Sequence, residues 1–216
     1  MKKVHFIDCG ANIGKAIDWA IEKHKDELIK VDAFEPEHTN YMSMMDKYLE
    51  SKLDITIHKK AVWVKNTIRP FNIQFWGSKT GSSLMADKYQ AFHPGQVLPK
   101  VYDGKFISYD AIHSDGTVDD SGTKINSSGN IVAQKELIIN SGMIKKNVQC
   151  LNYSEWVYKN LSKKNYNVLK IDIEGAEYEV IDHLLKTGAH TYIDRWLVEF
   201  TPEAKIEESY KKDIVR

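Results

Sequence analysis

The chain has 216 residues, enough to bury a full hydrophobic core as one domain. Its 30 basic and 30 acidic side chains cancel, which excludes a whole-molecule field drawing it onto nucleic acid or an anionic membrane and argues against a tightly held polyanion. Two cysteines, Cys9 and Cys150, exclude a disulfide framework and lack metal-ligand spacing, and no apolar run approaches membrane length; a soluble protein of the reducing cytoplasm, without membrane insertion, is expected.

Residues 4–7 form an apolar run suited to a buried parallel strand. The segment 7–14, IDCGANIG, then places Asp8, Gly10 and Gly14 in a loop that must turn directly into a helix, marked by Ile13, Ile17, Ala20 and Ile21 on one face. A second strand in KVDAFEP, 30–36, ends in Glu35 and is stopped by Pro36. Tyr41, Met44, Met45, Tyr48 and Leu49 repeat at helical spacing, and 53–63 reads as a third strand rich in β-branched residues. Strand, helix, strand, helix, strand implies right-handed parallel crossovers: an α/β protein with a mostly parallel central sheet and flanking helices.

Alternation over 71–76 predicts a strand leading into GSKTGSSL. Turn residues then punctuate 86–147, with short β-like runs at 105–109 and 136–140 between them; Tyr89, Phe92, Val101, Tyr102, Phe106 and Ile107 supply apolar material, so this stretch reads as a β-rich insertion and not as disorder. The core resumes with a strand at 148–151, and Ser154 is placed to cap a helix running to about Leu161. A fourth parallel strand is expected at 167–173, followed by a helix over 176–186 that buries Val180, Ile181, Leu184 and Leu185 and stops at Gly188. Residues 195–200 supply the fifth strand.

The loop after the first strand carries the chemistry. Glycines at 10 and 14 remove Cβ atoms that would keep the backbone away from a ligand, and the helix beyond offers unpaired N–H groups to a carboxylate. A dinucleotide fingerprint needs a middle glycine where Asn12 stands. A nucleotide P-loop needs one more residue before Gly-Lys and a hydroxyl where Ala16 stands. Glu35, at the end of its strand, can accept both hydroxyls of a ribose. An adenosine carrying an amino acid instead of a diphosphate satisfies these features, and S-adenosyl-L-methionine (SAM) is that molecule. Asp8 is then placed to bind loop N–H groups or the ammonium of the methionine moiety, with a ligand-free capping acid as the alternative. Gly10, Ala11, Asn12 and Gly14 form the loop, and Ala61 is a weaker adenine-edge candidate.

IDCGANIG, then AFEP, then LKIDIEGAEYEVIDHLL at 169–185, with GSSL at 81–84, resemble the FkbM family of SAM-dependent methyltransferases over residues 4–86 and 148–201. The resemblance implies a Rossmann-like methyltransferase fold, one domain over 1–216 with an inserted cap-like segment at about 86–147, and usually O-methylation of a sugar or related hydroxyl compound. It also implies that Ser82 and Ser83 line the cofactor pocket. Glu37 stands where the family often has a second proline.

Lys170, Asp172 and Glu174 alternate along the fourth strand and should share a face, with Glu177 following. Charges on a strand buried on both sides are costly unless paired or used. Asp172 is therefore a candidate to deprotonate a substrate hydroxyl, to hold a divalent cation such as magnesium that does so, or to position the substrate; the alternative is a plain ion pair with Lys170. Glu199, ending the fifth strand, points to the same edge and could complete a carboxylate pair. The eight histidines show no H-x-H or H-E-x-x-H spacing, and His38 and His58 are isolated near the ligand edge.

These residues point to a SAM-dependent O-methyltransferase acting on a carbohydrate or glycan hydroxyl. The rivals are methylation of another small molecule or of nucleic acid, against which the missing basic surplus counts, and a SAM-binding module that has lost catalysis.

Overall fold

The computed structural model describes residues 2–74, 84, 106–109, 117–118, 124–125, 131–133, 135–138 and 143–201. In chain order it contains β1 (Val4–Cys9), α1 (Lys15–His24), β2 (Leu28–Phe34), α2 (His38–Tyr48), β3 (Asp54–His58), β4 (Ala61–Trp63) and β5 (Thr67–Gln74). There follow β6 (Phe106–Tyr109), β7 (Thr117–Val118), β8 (Lys124–Ile125), β9 (Ile131–Ala133), β10 (Lys135–Ile138) and β11 (Met143–Asn152). The chain ends in α3 (Tyr153–Asn160), β12 (Tyr166–Ile171), α4 (Glu177–Thr187) and β13 (Arg195–Val198). It forms two compact units, Met1–Asn66 with Cys150–Arg216, and Thr67–Gln149.

The first unit is built on a five-stranded sheet of order β13-β12-β1-β2-β3, in which every neighbouring pair is parallel. Sequence order reverses between β1 and β12, the switch point at whose carboxyl edge open α/β sheets bind ligands. Strand alternation sends Phe6, Val31, Ala33 and Val168 to one face, where they pack with Ile17 and Ala20 of α1 and Met44 of α2 in a fully buried cluster. The other face carries Cys9 and Phe34; the Phe34 ring meets Tyr153 and Trp156 of α3 edge-on. On α2, Met44 is buried and Tyr48 partly so, while Met45 and Leu49 are exposed, so the apolar face is narrower than the sequence spacing predicts.

In the second unit, β10 pairs antiparallel with β6 and β11, β5 pairs with β11, and β7, β8 and β9 form an antiparallel sheet. β6 and β10 fall on the short β-like runs expected at 105–109 and 136–140. The other residues of 86–147, including Tyr89, Phe92 and Tyr102, lie outside the described residues apart from the strands named above.

Several boundaries differ from the sequence expectation, each for a local reason. The predicted third strand, 53–63, breaks in two: the N–H of Lys60 donates to the His58 carbonyl at 2.8 Å, and this turn diverts Ala61–Trp63 to a parallel pairing with Cys150, Leu151 and Asn152 of β11. The cap of α3 is Asn152, whose side chain accepts from the Glu155 N–H, and not Ser154, whose hydroxyl instead sits 2.7 Å from His183 Nδ1. β12 and β13 each end two residues earlier than expected. After Ile171 the chain leaves the ladder for a turn in which Glu174 and Gly175 have φ of 59° and 102°. α4 stops at Gly188, φ 78°, as its sequence signal implies.

Candidate functional site

β1 delivers Asp8 to the carboxyl edge of the sheet, and the loop that follows is stitched to the end of β2. The N–H groups of Gly10 and Ala11 both donate to the Phe34 carbonyl, at 3.1 and 3.0 Å, and the Asn12 N–H donates to Glu35 Oε2 at 2.8 Å. The other Glu35 oxygen accepts from the Glu37 N–H at 2.8 Å. Each oxygen of a carboxylate has two lone-pair sites, so Glu35 holds the loop and still has accepting capacity. Burial pushes its carboxyl up to about 8, against the two backbone donors that favour the charged form; the charges of Glu37 and Asp8 raise it further.

Both glycines adopt left-handed geometry, and what each accommodates is the chain itself. At Gly10, φ 81°, a Cβ would lie 1.8 Å from the Asp172 carbonyl oxygen; at Gly14, φ 82°, it would lie 2.5 Å from the Tyr48 hydroxyl. Besides the room the sequence reading gave a ligand, these glycines let the chain after β12 and α2 close on the loop. The Tyr48 hydroxyl is 2.8 Å from both the Gly14 carbonyl and Asp18 Oδ1, tying α2 to the start of α1.

Asp8 is fully buried and does not bind loop N–H groups. Its partner is Lys170, whose Nζ lies 3.2 Å from Asp8 Oδ1, 3.3 Å from Asp172 Oδ2 and 2.9 Å from the Gly10 carbonyl. Lys170 thus donates a hydrogen bond to the Gly10 carbonyl and stands at ion-pair distance from both carboxylates. Burial works against its charge, but the carboxylates of Asp8 and Asp172 outweigh burial and raise its pKa, so it is a poor proton acceptor. Burial also raises Asp8, with Lys170 opposing. Among the described residues both carboxylate oxygens of Asp8, and Asn12 Oδ1, are buried without a hydrogen-bond partner.

Asp172 stands just beyond β12 with its side chain 31% exposed, and its N–H donates to the Cys9 carbonyl at 3.0 Å. Glu174 does not continue the alternation of Lys170 and Asp172, because the strand ends at Ile171 and Glu174 sits in the turn. Glu199 is exposed one residue past β13, its N–H bonded to the Ile171 carbonyl at 2.9 Å. Ala61 opens β4, where it is buried and paired with Cys150 of β11. Ser83 and Ser82 lie outside the described residues. Among the described residues no group of three or more His, Cys, Asp or Glu is arranged to hold a metal ion.

Other polar residues at this edge have structural work that the sequence reading missed. Glu37, in place of a second proline, caps α2 by accepting from the Asn40 N–H at 2.8 Å. Glu177 is fully buried and accepts from Gly175 and Thr201 N–H at 2.7 and 2.6 Å, pinning the turns after β12 and β13. Cys9 is buried and unpaired, and burial pushes its thiol far up, so it is an inert filler.

SAM carries an ammonium, a carboxylate and a ribose diol. The orphaned oxygens of Asp8 and Asn12 and the remaining lone pairs of Glu35 offer acceptors for donors of that kind, so these residues fit the cofactor. A parallel sheet with its loop after β1 and an acid ending β2 makes this a Rossmann-like methyltransferase fold. The chain belongs to the FkbM methyltransferase family: the model of the methyltransferase FkbM domain matches residues 8–214, including the stretch 86–147. No curated protein and no solved structure matches the chain.

Proposed function

We propose that this methyltransferase uses SAM to methylate a hydroxyl of a sugar or glycan. The observation that carries the cofactor assignment is the bond from the Asn12 N–H to Glu35, which joins the glycine loop after β1 to the acid after β2 that we assign to the ribose. The bound cofactor supplies a methyl group on a sulfonium. The residues assigned to it are Asp8, Gly10, Ala11, Asn12, Gly14 and Glu35, with Ser83 expected to complete the pocket.

For the acceptor, Asp172 is a partly exposed acid whose backbone closes on Gly10 of the loop, and it is the group we assign to receive or orient the hydroxyl proton. Lys170 holds it in place. Glu199 and Glu174 lie beyond the same strand ends and are assigned to the acceptor side or to a magnesium ion, if the reaction uses one. The balanced charge of the chain supports a neutral acceptor such as a carbohydrate over nucleic acid. Among the described residues no helix is long and apolar enough to cross a membrane. The use of two buried cysteines with no disulfide framework suits a reducing compartment, and we assign the cytoplasm.

The ion pair between Asp172 and Lys170 favours one second reading, a SAM-binding module without catalysis. Transfer of labelled methyl from SAM to a panel of sugars and glycans separates the two. Labelled product supports the enzyme; binding of S-adenosylhomocysteine without transfer to any acceptor supports the module; no binding of either cofactor form removes both.

A further inference from the structure

We propose that His58, held by Asp32, is a positioning residue for the cofactor loop. His5 on β1, Asp32 on β2 and His58 on β3 come together across three neighbouring strands on the face that packs against α3. Asp32 is 2% exposed, and its Oδ2 lies 2.7 Å from His5 Nε2 and 3.1 Å from Lys30 Nζ, while its Oδ1 lies 2.8 Å from His58 Nε2. An ionised carboxylate only accepts, so both facing Nε2 atoms carry their protons.

This anchoring fixes the His58 ring flat on Phe34, with centroids 4.5 Å apart and planes 12° from parallel. Trp156 and Tyr153 close the Phe34 ring edge-on, so it has no freedom to shift. The backbone of Phe34 is where the loop hangs, since its carbonyl accepts from Gly10 and Ala11. The backbone of His58 holds the next residue: its carbonyl accepts from the Glu35 N–H at 3.0 Å. His58 thus braces the two residues that hold the loop, through its ring for Phe34 and its carbonyl for Glu35. Burying the Asp32 carboxylate costs desolvation, and apolar residues would fill the same space more cheaply; its use here is to fix one register of β2 against β3 behind the loop.

The test is site-resolved amide hydrogen exchange on the full chain. His58→Phe keeps an aromatic ring to stack on Phe34 and deletes the bond to Asp32; Asp32→Asn removes the charge. Exchange at Gly10, Ala11 and Asn12 should rise at least about tenfold in both variants, the effect of losing a hydrogen bond to a charged group, while Val168 and Leu169 on β12 keep their wild-type protection. Affinity for S-adenosylhomocysteine should weaken by a similar factor, a readout that rests on the SAM reading, whereas the exchange readout does not. Unchanged loop exchange in a folded variant overturns the proposal. So does a rise that Val168 and Leu169 share in full, which would make the triad general support for the sheet. If the wild-type protein binds no S-adenosylhomocysteine, the SAM reading fails and the exchange data still decide the role of His58.

Discussion

The Asn12 N–H donates to Glu35 Oε2 at 2.8 Å, so the residue that replaces the middle glycine of a dinucleotide loop is held by the acid that ends the neighbouring strand. Asn12 pays for this with a left-handed φ of 51°, a conformation that asparagine tolerates better than most residues. Loop and acid are one unit, and a change to either acts on both.

Glu35→Ala should therefore affect stability and binding together. It orphans the buried N–H of Glu37, worth about 1–3 kcal/mol when left unsatisfied, frees the part-buried N–H of Asn12, and removes the acceptor assigned to the ribose. The expected result is a lower melting temperature and loss of most of the upward shift that SAM gives the wild type by mass action. A variant that keeps wild-type SAM affinity in calorimetry removes Glu35 from the ribose.

The same residue sets a pH dependence. Burial moves the Glu35 carboxyl from 4.5 to about 8, so between these values the folded chain binds more protons than the unfolded chain. Stability contributed by Glu35 falls as pH rises through that window and levels off above it. Asp8, also raised by burial, acts in the same sense. His24, whose pKa is lowered from 6.5 chiefly by burial, acts in the opposite sense near its own range. Comparison with Glu35→Gln isolates the effect. Thermal melts should show the wild type gaining on the variant as pH falls from 8 to 5; a difference independent of pH contradicts the buried carboxyl.

Gly10→Ala probes how closely β12 approaches the loop. A left-handed residue with a Cβ costs about 1–2 kcal/mol, and here the methyl would also meet the Asp172 carbonyl oxygen at 1.8 Å. Neither backbone can yield without opening the Gly10 and Ala11 bonds to Phe34. The variant should melt well below wild type and bind S-adenosylhomocysteine weakly if at all. Near-normal melting and binding would mean that loop and strand are looser than this approach implies.

The parts of the site written in contiguous residues were legible in the sequence. The loop 7–14 combines strand, turn and helix signals within a few positions, and Glu35 is marked by the Pro36 behind it. What was missed depends on residues far apart in sequence. His5, Asp32 and His58 are unremarkable singly and form a triad only because β1, β2 and β3 are neighbours in a parallel sheet. The cost of a charge on a doubly buried strand, the argument that singled out Lys170, would have flagged Asp32 as well. The break at Lys59 and Lys60 was hidden because β-branched residues run on both sides of it; the competing pairing of Ala61 with Cys150 decides it. The alternation extended to Glu174 breaks for a simpler reason: it holds only while the strand lasts, and β12 ends at Ile171.

Asp172 is the sharpest test of catalysis. It follows the last residue of β12, meets Lys170 at 3.3 Å, and is partly open to solvent where the fully buried Asp8 is not. Asp172→Asn keeps the shape and a hydrogen-bonding group while removing the charge that a base or a cation site needs. Turnover should fall by about a hundredfold or more, the usual loss when acid–base function is removed. SAM affinity should change little, because the bonds of Gly10, Ala11 and Asn12 to β2 remain. Glu199→Gln and chelation then divide the mechanism. A matching defect in Glu199→Gln together with loss of activity on chelation makes the two acids a metal site, whereas indifference to chelators leaves Asp172 as base or orienting group. Wild-type turnover in Asp172→Asn would assign the carboxylate to the ion pair with Lys170 and move the search for the proton acceptor to the acceptor side of the pocket.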